Sequence, residues 1–259
     1  MSRYYFLATA LPSLNIEEEP EIAFRDLLHL LRDNLSKRDY KTIEQVRTYY
    51  DILNIRHFWK EEPIDPHGNL TSVEIEEAVV TGSALPDYVH DFLREVTDHN
   101  ERLKRFPKLI VEYFAQSIAN SSGFLKEYLE MERGLRLTFL GFRAKQLARN
   151  LSSELQYEDP SDELVLQLLA QRDAAHYEPP FRFEATKQLF EHNQSDPVAL
   201  HKAVLDYRFR WVDEQLGTDT FSMDAILAYF VQFLMVEAWA SLDQKQGNTI
   251  IDQLLRDVS

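Results

Sequence analysis

The residues from Phe124 to Leu155 limit the fold of this chain more than any other stretch, because they contain no proline and follow a helical period. One set of apolar side chains recurs at steps of three and four and forms a stripe: Phe124, Tyr128, Met131, Leu135, Phe139 and Phe142. A second apolar set lies on the opposite side: Leu137, Leu140, Leu147 and Leu151. A helix that is apolar on two sides has neighbours on both. The pattern therefore predicts a long central helix around which the rest of the chain packs.

Two glycines interrupt this predicted helix and share one of its faces. Gly134 and Gly141 lie seven residues apart. Each costs about 1 kcal/mol relative to alanine inside a helix. Their presence predicts either the close approach of a neighbouring element or a bend.

Helix signals dominate the remainder of the chain, so we predict an all-α fold of roughly nine or ten helices. They include a capping box at Thr71 and Glu74, a break near Pro107 and a start at Asp196-Pro197. Only residues 3–11 are β-prone, and they predict a short strand or an extended N-terminal arm. We divide the elongated chain into an N-terminal helical unit (1–85), a middle unit with the long central helix (86–156) and a C-terminal helical unit (157–259).

The C-terminal region predicts two helices, the first over residues 223–246 and the second over residues 249–257. Gly247 would follow the end of the first and Asn248 would cap the second. The apolar run from Ala225 to Val236 is shorter than the roughly 20 residues that span a bilayer. We therefore expect a soluble protein without direct membrane insertion. The chain contains no cysteine, which suits a reducing cytoplasm.

The formal net charge of −15 is unevenly placed, with acidic ends on either side of a nearly neutral middle. Nucleic acid is not an expected partner, because phosphate binding needs a basic face. Five basic side chains stand out on the predicted central helix: Arg133, Arg136, Arg143, Lys145 and Arg149. They have two interpretations, which the sequence leaves open. They dock an acidic partner, or they form ion pairs with the acidic ends of the same chain.

None of the common sequence motifs for nucleotide binding, hydrolysis or zinc binding is present, so we expect no catalytic residues, cofactor or metal. Helical bundles that hold two metal ions use Glu-x-x-His pairs on facing helices. The nearest patterns here are Asp26–His29, expected to face water, and Asp173–His176, which continues an apolar line and has the potential to face inward. Glu237 is the only further carboxylate expected to be buried. A di-metal oxidoreductase is therefore kept as an alternative.

Several stretches, taken in their order along the chain, resemble a known family. They are Tyr4 to Leu7 with Leu11 to Leu14, Tyr50-Asp51 through Asn54, His67 to Leu70 leading to Glu74, Leu85 to Tyr88 with Phe92-Leu93, and Phe124 to Lys145. The chain resembles an uncharacterised bacterial family whose genes lie within V-type ATP synthase operons, for example in chlamydiae and Bacteroidetes. Residues 221–255 also look like the end of the C/d-type protein of these enzymes, which connects the stalk to the rotor.

This resemblance implies a funnel-like, all-helical protein that couples the central stalk of a V-type ATPase to the membrane rotor ring. Such a protein transmits torque and performs no chemistry. It would lie in the cytoplasm, peripheral to the inner membrane through the complex. Its partners would be the central-stalk subunits and the rotor ring, with proton or sodium transport as the activity of the whole complex. A generic helical adaptor protein remains a further alternative.

Overall fold

The computed structural model describes the backbone of residues 4–257 and the side chains of residues 4–242. Over this range the chain contains thirteen α-helices, one 3-10 turn at Phe181–Phe183 and no strand, which confirms the all-α prediction. The helices are α1 (Tyr5–Ala10), α2 (Phe24–Asn34), α3 (Lys37–Trp59), α4 (Ser72–Thr81), α5 (Asp87–Glu95), α6 (His99–Arg105), α7 (Pro107–Ala119), α8 (Gly123–Gln146), α9 (Leu151–Glu154), α10 (Glu163–Ala170), α11 (Ala185–Asn193), α12 (Pro197–Gln215) and α13 (Met223–Asp257).

The helices form two units. The first unit comprises Met1–Lys41 and Gln188–Ser259, and the second comprises Thr42–Lys187. The first unit is therefore assembled from both ends of the chain, whereas the three units expected from the sequence are contiguous. That three-unit division stays a prediction.

The core of the first unit is built on α13. Phe230 and Phe233 are fully buried, and their rings lie 6.4 and 6.2 Å from the ring of Phe24 at the start of α2. Leu27 and Leu31 follow on the buried face of α2, as the apolar period predicts. Helix α13 runs without interruption through Gly247 and Asn248, so the predicted break there is wrong. Residues 243–257 are described in backbone only.

One segment among the described residues, Met223–Leu242 in α13, has the length and composition of a membrane span. Its mean hydropathy is 1.6. The apolar run used for the prediction, from Ala225 to Val236, is shorter and did not indicate a segment of this length. However, 56% of an 18-residue window in it is buried inside the protein. A core helix of a soluble protein passes the same test, because its apolar surface is covered by neighbouring helices.

The N-terminal segment is helical, so the predicted strand or extended arm is wrong. Leu7 of α1 is buried, and the backbone N–H of Tyr4 donates to the carbonyl oxygen of Phe221 at 2.8 Å. The Tyr4 hydroxyl donates to Asp39 and accepts from the backbone N–H of Ser36. These tertiary contacts outweigh the β-propensity of an aromatic segment, which depends on its packing partners.

The second unit is organised around α8, which has buried side chains on opposite faces. Of the second predicted apolar set, however, only Leu137 is buried in α8, since Leu140 is half-buried and Leu147 is exposed. The neighbours of α8 include α7, α9 and α10. Prediction and structure agree on the capping box at Thr71 and on the break before Pro107. However, α8 ends at Gln146, whereas the sequence predicted a helical stretch to Leu155. Similarly, α10 ends at Ala170, before Asp173 and His176.

The end of α8 is fixed by a Schellman motif built on an alanine. Ala148 has a left-handed φ of 50°. Its N–H donates to the carbonyl of Lys145 at 3.2 Å, and the N–H of Arg149 donates to the carbonyl of Ala144 at 2.8 Å. Asn150 then caps α9 with its side chain. No glycine marks this turn, which is why the apolar period alone extended the helix too far.

Ala148→Gly is expected to stabilise the protein by roughly 1 kcal/mol. The left-handed conformation costs a residue with Cβ about 1–2 kcal/mol, and the greater freedom of glycine in the unfolded chain offsets part of the gain. Urea denaturation measures the difference. Ala119→Gly, at an exposed helical position at the end of α7, is the control and should destabilise instead. If both substitutions stabilise the protein, or if both destabilise it, the left-handed cap at Ala148 is contradicted.

The two glycines of α8 mark close contacts, and the alternative of a bend is not needed to explain them. A Cβ at Gly134 would lie 2.4 Å from Cζ of Phe183, and a Cβ at Gly141 would lie 2.7 Å from Leu168 and Tyr177. Real side chains essentially never approach so closely. Each glycine therefore permits an aromatic ring to lie directly against the helix backbone.

Candidate docking site

Helix α10 lies along α8 in the same direction and is fastened at both of its ends. Before α10, Asp162 accepts the backbone N–H groups of Leu164 and Val165 with one oxygen, which caps the helix. Its other oxygen accepts from Arg133 of α8 at 2.8 Å. After α10, Lys145 of α8 donates to three backbone carbonyls at 2.7–2.8 Å, those of Gln171, Arg172 and Ala174.

Glu158 joins two of the predicted docking arginines to the segment between α9 and α10. It accepts from Arg133 at 3.0 Å and from Arg136, and only 3% of its side chain is exposed. The side chains of Arg133 and Arg136 are 19% and 25% exposed, so the pair is largely screened from water. The guanidinium of Arg136 also lies 5.9 Å from the ring centroid of Phe114.

The five basic residues therefore fall into two groups. Arg133, Arg136 and Lys145 bind groups of their own unit, and all three ammonium protons of Lys145 have acceptors. Arg143 and Arg149 are exposed. Arg149 is 3.5 Å from Glu154, and Arg143 has no hydrogen-bond or ion-pair partner within residues 4–242. The docking role of the five stays a prediction, with Arg143 and Arg149 as the accessible members.

A surface groove of about 310 Å³ brings the accessible arginines together with Arg136. It is lined by Arg136, Phe139, Leu140, Arg143, Ala144, Arg149 and Glu154. Phe139 and Leu140 are half-buried and form its apolar floor between the charged groups. The groove can therefore offer an incoming segment both cationic donors and an apolar surface.

The residues considered for a di-metal centre do not assemble into one. Asp26 and His29 are exposed on α2, as expected. Asp173 and His176 are exposed beyond the end of α10, so the prediction that they face inward is wrong. Glu237 is half-buried rather than buried. In the described part of the chain no three metal-ligating side chains lie together.

Comparison with known proteins places the whole chain in one family. A family model described as "Protein of unknown function (DUF2764)" matches residues 1–258. The chain belongs to the DUF2764 family. Similar proteins include one of Chlamydia pneumoniae, 29% identical with 98% of each chain covered, and one of Chlamydia muridarum, 27% identical with 100% and 99% covered. Both are described as uncharacterized. No solved structure matches. The resemblance to an uncharacterised family with chlamydial members is thereby confirmed.

In this DUF2764 chain, two of the stretches that carried the resemblance meet in a buried polar cluster. On α3, Asp51 accepts from the backbone N–H of Leu70 at 3.0 Å and from the side chain of Asn69 at 2.8 Å. Asn54 exchanges two hydrogen bonds with the backbone of Asp65. The cluster anchors the loop that leads into α4. The sequence pattern marked these residues as part of the resemblance but did not indicate that Asp51 is a buried carboxylate.

Burial raises the pKa of Asp51 above its ordinary value of 3.8, against the opposing effect of its hydrogen bonds. The folded chain therefore holds this proton more tightly than the unfolded chain. The resulting stabilisation is present below the unfolded-state pKa and is lost as pH rises through the folded-state pKa. The Asn side chain of Asp51→Asn does not ionise, so this variant does not lose that stabilisation. The melting temperature of the variant minus that of the wild type should therefore increase as pH rises from 4. A difference in melting temperature that does not change with pH would contradict this prediction. Asp33→Asn, at an exposed position, is the control.

Proposed function

We propose that this protein is a non-catalytic coupling subunit of a V-type ATPase or ATP synthase, linking the central stalk to the membrane rotor ring. The observation that carries the proposal is the construction of α8, a 24-residue helix that is tightly packed at Gly134 and Gly141 and carries an accessible basic groove along its C-terminal half. Such a helix suits a part that transmits force through contacts with other proteins. The resemblance to a family encoded in V-type ATP synthase operons supplies the identity of those proteins.

Torque transmission requires a stiff body, and two features of the second unit support that role. The rings of Phe183 and Tyr177 lie against α8 at Gly134 and Gly141, which leaves little room for the segment after α10 to shift along α8. In addition, Arg133 and Lys145 tie α10 to α8 at both ends. The protein would act in the cytoplasm, held at the inner membrane by the complex.

Coexpression tests the proposal directly. The full chain carrying an affinity tag is produced together with the central-stalk and rotor-ring proteins of the V-type enzyme from the same genome. We expect a stoichiometric complex that survives affinity purification and size-exclusion chromatography. The F-type stalk proteins of another bacterium serve as the control and should not be retained. If the V-type proteins consistently fail to co-purify, the proposal is wrong and an adaptor role for a different partner takes its place.

A further inference from the structure

The accessible face of α8 alternates cationic and apolar side chains with the spacing of a helix-docking surface. Arg136, Leu140 and Arg143 follow one another at steps of four and three residues, and all three line the groove. This spacing places them along a single line on the helix. Phe139 widens the apolar section between the two arginines.

The charge of the groove is opposite to that of the whole protein. Its lining carries three arginines and one carboxylate, that of Glu154, in a chain whose formal net charge is −15. Glu154 lies 3.5 Å from Arg149 in an exposed pair, which contributes little and exchanges readily for another carboxylate. Since Arg143 has no partner among the described residues, at least one guanidinium is available as it stands.

We infer that this groove binds an acidic amphipathic helix of another protein, with carboxylates about two turns apart on either side of an apolar residue. Arg136 and Arg143 are seven residues apart, which corresponds to about 10 Å along the axis of α8. A single phosphate or carboxylate does not bridge that distance across an apolar floor. Carboxylates at positions i and i+7 of a docked helix do, and an apolar side chain at i+3 or i+4 falls over Leu140.

This inference deepens the proposed function and rests on it for the origin of the helix, which would belong to the central stalk or the rotor ring. Guanidinium groups suit such a contact because they form bidentate hydrogen bonds with carboxylates. Arg136 stays bound to Glu158 through one nitrogen and offers its remaining N–H groups to the first carboxylate, whereas Arg143 gains a partner and Arg149 exchanges Glu154 for another carboxylate. The groove therefore recognises the spacing of charges as well as their sign.

Binding of a designed peptide tests the inference. The probe is a fluorescein-labelled, alanine-rich peptide of about 20 residues, long enough for a helix in water, with Glu at i and i+7 and Leu at i+4. A scrambled peptide of the same composition is the control. Fluorescence anisotropy with the full chain should show saturable binding of the patterned peptide that weakens with salt, and affinity for the scrambled peptide should be about tenfold lower. Equal affinities, or displacement of the patterned peptide by millimolar inorganic phosphate at constant ionic strength, would overturn the inference.

Variants locate the site and separate this inference from the proposed function. Arg143→Glu and Arg149→Glu should each weaken peptide binding about tenfold, whereas Arg94→Glu, an exposed arginine of α5, should leave it unchanged. Circular dichroism checks that each variant is folded. If all three variants lose binding, or if both groove variants bind as the wild type does, the groove is not the binding site. If the peptide binds as expected but the stalk and ring proteins do not co-purify with the wild type, the proposed function fails and the groove stands.

Discussion

Glu158→Ala should lower the free energy of unfolding by about 3 kcal/mol, since removing one partner of a buried ion pair leaves the other charge uncompensated. Here the loss affects two guanidinium groups, those of Arg133 and Arg136, which are both mostly shielded from water. Arg133 keeps Asp162 as a partner, so Arg136 bears most of the loss, and the segment before α10 keeps one link to α8. Chemical denaturation monitored by circular dichroism gives the difference, with the slope of the transition checked for two-state behaviour.

Glu154→Ala provides the matched control, because Glu154 pairs with Arg149 at 3.5 Å on the exposed surface. Exposed ion pairs contribute about 0–1 kcal/mol, so this variant should be close to the wild type. If Glu158→Ala and Glu154→Ala lower the free energy of unfolding by the same amount, Glu158 does not form a buried ion pair in solution. If Glu158→Ala is neutral, Arg133 and Arg136 are free to serve as docking residues themselves.

Gly134→Leu should also destabilise the protein by about 3 kcal/mol, at the upper end of what overpacking costs. The first atom of the new side chain already meets Cζ of Phe183 at 2.4 Å. Phe183 is itself buried with 2% exposure, so displacing its ring disturbs the packing of the core around it. The outcome is measured as a loss of melting temperature and of denaturation midpoint.

Gly217→Leu is the control for this substitution, because no atom lies within 4 Å of a Cβ built at Gly217. Surface substitutions of this kind usually change stability by about 0.5 kcal/mol or less. A similar loss in the two variants would mean that the cost comes from the substitution itself and not from the contact with Phe183. Unchanged unfolding of Gly134→Leu would show that no ring lies against that face of α8.

The helical content and the central position of α8 were predictable because the apolar period is local information. The same holds for the capping box at Thr71 and for the break before Pro107, each of which depends on residues within one turn. The glycines of α8 indicated close packing, but the sequence did not identify Phe183, Leu168 and Tyr177 as the neighbours. Those contacts join segments that are 27 to 49 residues apart in the chain.

The interpretation of the basic residues depended entirely on tertiary structure. The sequence left docking and internal pairing open for all five, since charge pattern alone does not say which carboxylate lies near. Folding brings Glu158 and Asp162 to Arg133, and carbonyls beyond α10 to Lys145, while Arg143 stays exposed. Asp51 was missed for the same reason, because its burial follows from the loop that folds over α3.

By its sequence alone, this protein is committed to an all-helical fold with a central helix that is apolar on two sides. Apolar periodicity and capping residues act within a few positions of one another, so they can be read directly from the chain. Tertiary structure decided that α1 is a helix, that α8 ends at Gln146, and which arginines remain accessible. Those outcomes depend on contacts between distant residues, whose energies outweigh local propensity and whose partners the local pattern does not specify.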